Sequence, residues 1–138
     1  MSEEDRNVET LRKAYIHWQN TKGDAQVWLD ILADHVDWGS LADGAPGMEF
    51  TQKRVSKQDV AGYFAGLAET WSMNSYRINE FVAQGGRVVA IGECSWTHKK
   101  TGKTAAIGKV DIWLFEDGKV IQFMEFFDTL KAVKATLD

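Results

Sequence analysis

Apolar residues recur at spacings of three and four in the N-terminal half of the chain, which is the pattern of helices with one buried face. The first such face comprises Val8, Leu11, Tyr15 and Trp18. A second helix is predicted from Asp24, as its N-cap, through Leu32. A third is predicted to open at Ser56, with Asp59 three positions on completing a capping pattern. Its apolar face comprises Val60, Phe64, Leu67 and Trp71.

The C-terminal half has the two-residue alternation of β-strands, interrupted by the turn sequences QGGR, KTGK and EDGK. These turns divide it into four predicted strands, at residues 73–83, 87–99, 104–116 and 119–128. A short strand is also predicted at residues 34–40. Segregated helices and strands indicate the α+β class. We expect one domain over residues 1–138, in which three N-terminal helices pack on a curved antiparallel sheet around a central pocket.

Two acids, Asp111 and Glu125, lie in the middle of the last two predicted strands. An ionised carboxylate is costly there unless its face of the sheet lines a cavity. A two-residue turn at residues 101–102 would place Gly92 opposite Asp111. The face that carries the acids is mixed aromatic and polar. The opposite face is aliphatic and carries Val89, Ile91, Val110, Ile112 and Leu114.

The last hairpin leaves two registers open. A two-residue Asp-Gly turn would set Val110 opposite Glu125. A three-residue Glu-Asp-Gly turn with a bulged glycine would instead pair Lys109 with Glu125. It would also pair Asp111 with Phe123. The second register is preferred because it collects both acids and the lysine on one face. Burial raises the pKa of a carboxyl and a nearby lysine lowers it, so two such acids can divide acid and base roles.

Composition narrows the classes of partner. The net charge of -4 is small and no basic stripe is present, so nucleic-acid binding is not expected. No apolar run reaches the roughly 18 residues of a membrane span, and the N-terminus lacks the features of a signal peptide. The single cysteine, Cys94, excludes an internal disulfide and suits a reducing compartment. We therefore expect a cytoplasmic protein without membrane or nucleic-acid partners.

Six tryptophans, seven phenylalanines and three tyrosines supply aromatic surface both for a core and for a small-molecule pocket. Trp38 and Phe64 are expected to face the mouth of the cone, while Trp96 and Phe127 share the strand face of the two acids. The three histidines are scattered without the spacing of metal ligands, and no glycine-rich phosphate loop is present. Neither a metal nor another cofactor is expected.

The three helices, the meander and the ending VDIWLFEDGKVIQFMEFFDT together resemble the NTF2-like superfamily, in particular its SnoaL-like and ketosteroid-isomerase-like branch. The resemblance covers nearly the whole chain and implies a cone-shaped fold. Against the isomerases, Asp111 corresponds to a protonated Asp that donates to an oxyanion. Ser40 stands where their general-base Asp is expected, with Asp37 and Asp43 close to it in the chain. Their oxyanion Tyr falls near Ile16, one residue from Tyr15. Against the SnoaL-like cyclases, Glu125 corresponds to the acid/base Asp and Lys109 to a His.

From the residues and the resemblance, we expect a SnoaL-like protein that binds a small, largely apolar, carbonyl-bearing molecule in its cone pocket. Asp111 and Glu125 are the candidate catalytic residues of a cofactor-independent isomerase, cyclase or dehydratase. The candidate substrate-binding residues are Trp38, Ser40, Phe64, Trp96, Lys109 and Phe127. The alternative is a module of the same fold that only binds a ligand or assembles. A homodimer is expected through the aliphatic outer face of the sheet, which monomers seldom leave open.

Overall fold

The computed structural model describes all 138 residues, Met1 to Asp138. Its elements in chain order are α1 (Glu3–Thr21), α2 (Gln26–Ile31), β1 (Leu32–Ser40), a short 3₁₀ helix (Glu49–Thr51), β2 (Arg54–Ser56), α3 (Lys57–Thr70), β3 (Trp71–Gln84), β4 (Arg87–His98), β5 (Thr104–Glu116), β6 (Lys119–Phe127) and α4 (Thr129–Thr136). The α+β class, the three N-terminal helices and the four-stranded meander are confirmed. No helix combines the length and the apolar composition that a membrane span requires.

All six strands belong to one curved sheet, in the spatial order β2-β1-β6-β5-β4-β3. β3 to β6 form the predicted antiparallel meander. β1 extends it by pairing in parallel with β6, and β2 adds a short antiparallel edge. The helices cover the concave face, so the inward side chains of the strands and the apolar faces of the helices form the main core.

The helix starts follow the local chemistry of the chain. The hydroxyl of Ser56 accepts a hydrogen bond from the Asp59 backbone N–H at 3.0 Å, which confirms Ser56 as the cap of α3. The Asp59 carboxylate does not complete the predicted pattern, because it pairs with Arg54 at 3.2 Å. α2 begins later than predicted, with Ala25 as its N-cap. Asp24 accepts a hydrogen bond from the Gln26 N–H at 3.1 Å and so turns the chain toward the helix without being its N-cap.

The hairpin between β4 and β5 differs from its predicted register by two residues. His98 pairs with Lys103 across a four-residue loop, in place of the predicted two-residue turn. As a result Asp111 lies opposite Ala90 and not opposite Gly92. A shift by two residues keeps every side chain on its original face, so the predicted division into a mixed face and an aliphatic face is unaffected.

Neither register considered for the last hairpin is the observed one. The turn has two residues, Asp117 and Gly118, with φ of 50° and 80°, as in a type I′ turn. A bulge next to the turn then shifts the pairing by one residue, and Asp111 lies directly opposite Glu125. The preferred interpretation is therefore wrong about the turn and the paired residues. The shared face that it predicted for the two acids and Lys109 is confirmed.

A fourth helix, α4, covers the open end of the cone and was not predicted. Asp128 caps it by accepting a hydrogen bond from a backbone N–H of the first turn at 3.1 Å. Its small residues Ala132 and Ala135 are buried against a second apolar cluster at this end. The loop that follows β1 approaches the same helix closely, since a Cβ at Gly47 would come within 2.6 Å of the Thr136 hydroxyl oxygen. The helix and the loop thus close the mouth together.

Gly92 marks a close approach between β4 and the edge strand β3. It pairs with Ile78, next to a bulge in β3. A Cβ at position 92 would overlap the Arg77 carbonyl oxygen and would come within 2.8 Å of the Ile78 Cα. Both are backbone atoms, so a side chain here can be accommodated only if the strands separate.

We expect Gly92→Ala to lower the free energy of unfolding by roughly 1–3 kcal/mol, because the added methyl forces the backbones of β3 and β4 apart. Urea unfolding measures the change. Gly108→Ala is the matched control: Gly108 lies in the neighbouring strand with open space around its Cβ position, so its effect should stay within about 0.5 kcal/mol. Equal losses for the two variants would contradict the steric explanation.

Candidate functional site

A cavity of about 80 Å³ lies inside the cone, between the helices and the inner face of the sheet. Of its 23 lining residues, 19 are hydrophobic, and the other four are Thr51, Lys109, Asp111 and Glu125. All six tryptophans of the chain line it: Trp18, Trp28, Trp38, Trp71, Trp96 and Trp113. An apolar cavity with a few concentrated polar groups has the composition of a small-molecule site.

Strand alternation brings the three charged groups together. β5 turns Ile107, Lys109, Asp111 and Trp113 toward the cavity, and β6 turns Phe123, Glu125 and Phe127 toward it. Asp111 and Glu125 are directly opposite each other across the two strands. Lys109 lies two residues before Asp111 on the same face, so its long side chain reaches both acids.

Lys109 bridges the two carboxylates. Its ammonium nitrogen lies 2.8 Å from Asp111 Oδ1 and 3.0 Å from Glu125 Oε1. Asp111 is 1% exposed and Glu125 is 3% exposed, so neither charge is balanced by solvent. One ammonium can neutralise only one carboxylate, and a buried excess charge is costly. The cluster therefore favours a state in which one of the two carboxyls holds a proton.

Tyrosine hydroxyls complete the partners of the two acids. Tyr15 donates to Asp111 Oδ2 at 2.5 Å and itself accepts from the Trp113 indole N–H at 3.0 Å. A second, longer hydrogen bond reaches the same oxygen from Tyr76 at 3.4 Å. The hydroxyl of Tyr63 is shared between the two oxygens of Glu125, at 2.9 and 2.8 Å. Each acid is thus bonded to Lys109 and to its own tyrosine.

The two acids differ in their environment. Burial raises the pKa of Asp111 above its ordinary value, and the nearby charge of Glu125 adds to this, while Lys109 opposes it. Asp111 is therefore the candidate holder of the shared proton. Glu125 is the other carboxyl of the pair and is bonded to Tyr63 and Lys109.

Lys109 and the three tyrosines, which donate hydrogen bonds to the two acids, stay protonated. Burial alone would lower the pKa of Lys109, but Asp111 and Glu125 outweigh it and raise this pKa well above the ordinary value. Lys109 is thus a fixed cation, not an amine nucleophile. Burial, together with the adjacent carboxylates, raises the pKa of all three tyrosines well above the ordinary value. Burial also raises the pKa of the Cys94 thiol to about 11, so this lining residue is no thiolate nucleophile at neutral pH.

Most of the predicted site residues line this cavity. Those that do are Trp38, Phe64, Trp96, Lys109, Asp111, Glu125 and Phe127. Ser40 does not line this cavity, and its role in substrate binding stays a prediction. β1 ends at Ser40 and the chain turns there, so its hydroxyl oxygen lies 3.4 Å from the Ala42 backbone nitrogen and belongs to that turn. No group of three His, Cys, Asp or Glu side chains is arranged to hold a metal ion.

The sequence interpretation missed the tyrosines. It placed the helical hydroxyl near Ile16, which is 53% exposed, whereas Tyr15 points to the site. Tyr15 belongs to the apolar face predicted for α1, so that face contained the signal. Tyr63 follows Val60 by three residues and could have been found in the same way. Tyr76 could not, since bulges in β3 break the alternation that would place it.

Comparison with known proteins agrees with this architecture. The family model for the SnoaL-like domain matches residues 12–123. An NTF2-like protein of unknown function from Burkholderia pseudomallei K96243 has a TM-score of 0.83 at 23% identity, with 100% of both chains covered. A comparison with curated proteins found no significant match.

Two further solved structures share the fold. A candidate SnoaL-like polyketide cyclase from Jannaschia sp. CCS1 has a TM-score of 0.79 at 18% identity, covering 99% of this chain and 94% of that one. TerC, co-crystallised with polyporic acid, has a TM-score of 0.78 at 21% identity, covering 95% of this chain and 98% of its own.

The raised pKa of Asp111 makes a prediction about stability and pH. The folded protein binds this proton more tightly than the unfolded chain, whose carboxyl titrates near 3.8. Its stabilising contribution is therefore complete below that pH and is lost as the pH rises through the folded value. Relative to Asp111→Asn, the wild type should lose stability as the pH rises from about 4 toward 8.

Urea unfolding across this pH range, on both proteins, measures the difference. Asp34→Asn, at an exposed position of β1, controls for the chemical change alone. If the wild type instead gains stability relative to Asp111→Asn as the pH rises, the pKa of Asp111 is not raised in the folded protein. That result would mean that Lys109 and the tyrosines outweigh burial at this carboxyl.

Proposed function

The chain belongs to the SnoaL-like domain family, and from that premise we propose that it is a cofactor-independent acid–base enzyme. Its substrate would be a small, largely apolar, carbonyl-bearing molecule held in the cavity. The observation that carries this proposal is the buried cluster of Asp111, Lys109 and Glu125 on the cavity wall, in which one lysine serves two carboxyls. Two acids in unlike environments are the arrangement from which acid and base roles arise.

Glu125 is the proposed general base. One of its oxygens would take a proton from the carbon next to the substrate carbonyl, and the C–H electron pair would form a carbon–carbon double bond. The carbonyl π electrons would move onto oxygen, giving an enolate. If the substrate also has a double bond between its β- and γ-carbons, the negative charge extends to the γ-carbon, and return of the proton there, from Glu125 or from Asp111, would complete an isomerisation. Because Tyr63 contacts both Glu125 oxygens, it holds the carboxylate in place during these transfers.

Lys109 is the proposed group that stabilises the enolate oxygen. An ammonium has three N–H donors, and two of them are bonded to Asp111 and Glu125. The third is available to a ligand oxygen in the cavity. A fixed cation in an apolar surrounding stabilises developing negative charge more strongly than it would in water. Its raised pKa keeps this charge in place throughout the reaction.

The size of the cavity limits the ligand. An apolar cavity of about 150 Å³ holds a benzene molecule, whereas this one measures about 80 Å³. A ring-sized substrate therefore needs side chains at the mouth, under α4, to move aside. Co-crystallisation of TerC with polyporic acid supports a small organic ligand for this fold. A purely ligand-binding module is the competing function, because both acids are already paired with Lys109.

The enzyme proposal predicts catalysed exchange of acidic C–H protons. 2-Tetralone, a bicyclic ketone, is a suitable probe, and its loss of α-protons in deuterated buffer can be followed by NMR. We expect the protein to accelerate the exchange and Glu125→Gln to reduce the acceleration by roughly 10²- to 10⁴-fold. Glu93→Gln removes a carboxylate that is 56% exposed and paired with Arg77, so it should leave the rate unchanged.

The binding-only alternative makes the opposite prediction. It expects no acceleration of exchange, together with an affinity for 2-naphthol, the aromatic analogue of the enol, that is indifferent to pH near neutrality. An acid–base site should instead bind this phenol with an affinity that depends on pH. Observation of both binding-only results would refute the catalytic proposal.

We also propose that two copies associate through the outer face of the sheet. Its aliphatic residues Val89, Ile91, Val110, Ile112 and Leu114 are only partly buried in the single chain. Phe126 and Val82, 38% and 53% exposed, extend the apolar area. Soluble monomers rarely expose a continuous apolar surface of this kind. A twofold axis on this face would cover it with an identical patch.

Sedimentation velocity tests this association. The wild type should sediment as a dimer, and Ile112→Lys should sediment as a monomer, because a charge at the centre of the patch would be buried without a partner. Ile16→Lys, at a position of α1 that is 53% exposed, should remain dimeric. A monomeric wild type, or a dimer that tolerates the lysine at position 112, would refute the proposed interface.

A further inference from the structure

The cavity contains hydrogen-bond donors that no protein group satisfies. The indole nitrogens of Trp38 and Trp71 are buried and have no hydrogen-bond partner. Both residues line the cavity, and they are 2% and 4% exposed. Buried polar groups in folded proteins nearly always have a partner, so two unpaired donors around one cavity call for an explanation.

We propose that the Trp71 indole N–H is a specificity-determining donor, which binds an acceptor oxygen at the end of the ligand remote from Lys109. The inference rests on the proposed function, since it assumes that the reacting carbonyl lies at Lys109. It adds a second requirement to the substrate: an uncharged molecule with an acceptor oxygen near each end.

The position of Trp71 supports a role at the opposite end of the cavity. Trp71 is the first residue of β3, and it packs in the cluster under α4 with Ala105. On β5, Ala105 lies four residues from Lys109, which corresponds to about 13 Å along an extended strand. Trp71 therefore belongs to the mouth, while Lys109 belongs to the interior of the cone.

The polar protein groups next to Trp71 at the mouth already form hydrogen bonds with one another. The edge of the His98 ring meets Trp71 at a centroid distance of 5.0 Å, and its Nδ1 lies 3.3 Å from the Thr101 hydroxyl oxygen. That hydroxyl donates to the Ala135 carbonyl oxygen of α4 at 2.6 Å. None of these contacts uses the Trp71 N–H, so the available acceptor is a ligand atom.

The interior end of the cavity has the same excess of donors. Asp111 and Glu125 accept from Lys109 and the tyrosines, while Lys109 retains one N–H for a ligand. Both ends of the cavity therefore present an unpaired N–H donor, from Lys109 at the interior end and from Trp71 at the mouth. A ligand rich in amino groups would compete with them, whereas a ligand with two acceptor oxygens would satisfy them.

A pair of probes that differ in one oxygen tests this inference: 2-naphthol and 2,6-dihydroxynaphthalene, whose second hydroxyl lies at the far end of the rings. Isothermal titration calorimetry gives their affinities. The wild type should prefer the diol by about three- to tenfold, the contribution of one hydrogen bond. Trp71→Phe should lose this preference while it still binds 2-naphthol.

Trp96→Phe is the matched control. Trp96 also lines the cavity and packs against the same apolar cluster, but its indole nitrogen is not one of the buried donors without a partner. This variant should keep the preference for the diol. A second replacement of Trp71 by benzothienylalanine, which exchanges the N–H for sulfur in a ring of the same shape, removes the donor without a change in packing. It should behave as Trp71→Phe does.

Three outcomes would overturn the inference: no preference for the diol in the wild type, a preference that survives both replacements of Trp71, or no binding of either probe. The outcome of this binding test does not depend on the outcome of the proton-exchange test. Failure here, with exchange still dependent on Glu125, removes only the role of Trp71. A preference that depends on Trp71 in a protein without exchange activity leaves the binding inference intact and removes the enzyme.

Discussion

The rest of the site depends on one interaction, the neutralisation of two facing carboxylates by the Lys109 ammonium. Asp111 and Glu125 are direct cross-strand neighbours inside the sheet, where two unpaired negative charges would oppose folding. Lys109 contacts both, and the hydroxyls of Tyr15 and Tyr63 bond the remaining oxygens. The same arrangement that makes the acids tolerable in a core also leaves one proton to be shared between them.

Aromatic packing keeps these hydroxyls at the acids. Tyr15 lies edge-on to Trp28 at 4.8 Å, and Trp28 stacks on Trp113 at 5.1 Å. Trp113 in turn donates to the Tyr15 oxygen, so one cluster of rings fixes the donor of Asp111. Tyr63 is held in a similar way against Trp38 at 5.4 Å. Large rings with few rotatable bonds suit this task, because little conformational freedom is lost when they are buried.

Enclosure of the cavity is divided between the rigid sheet and a thinner cover. The interior end is closed by the packed rings around Trp113, whereas the mouth is closed by α4 and the loop after β1. α4 buries mainly alanines, and Leu130 and Leu137 at its ends are 64% and 56% exposed. A helix with so little buried apolar surface separates more easily than the strands do. Passage of a ligand is therefore expected at this end.

Periodicity and the turn sequences were enough to derive the three N-terminal helices and the meander. They also gave the shared face of Asp111, Lys109 and Glu125, because side-chain direction in a strand depends only on residue parity. Which residues face each other was decided by the four-residue loop after His98 and by the bulge near Leu114 and Phe115, features of the sheet that local patterns do not specify. The tertiary structure also decided the tyrosine partners and the covering helix α4. Those contacts join residues far apart in the chain, and only packing in three dimensions selects among them.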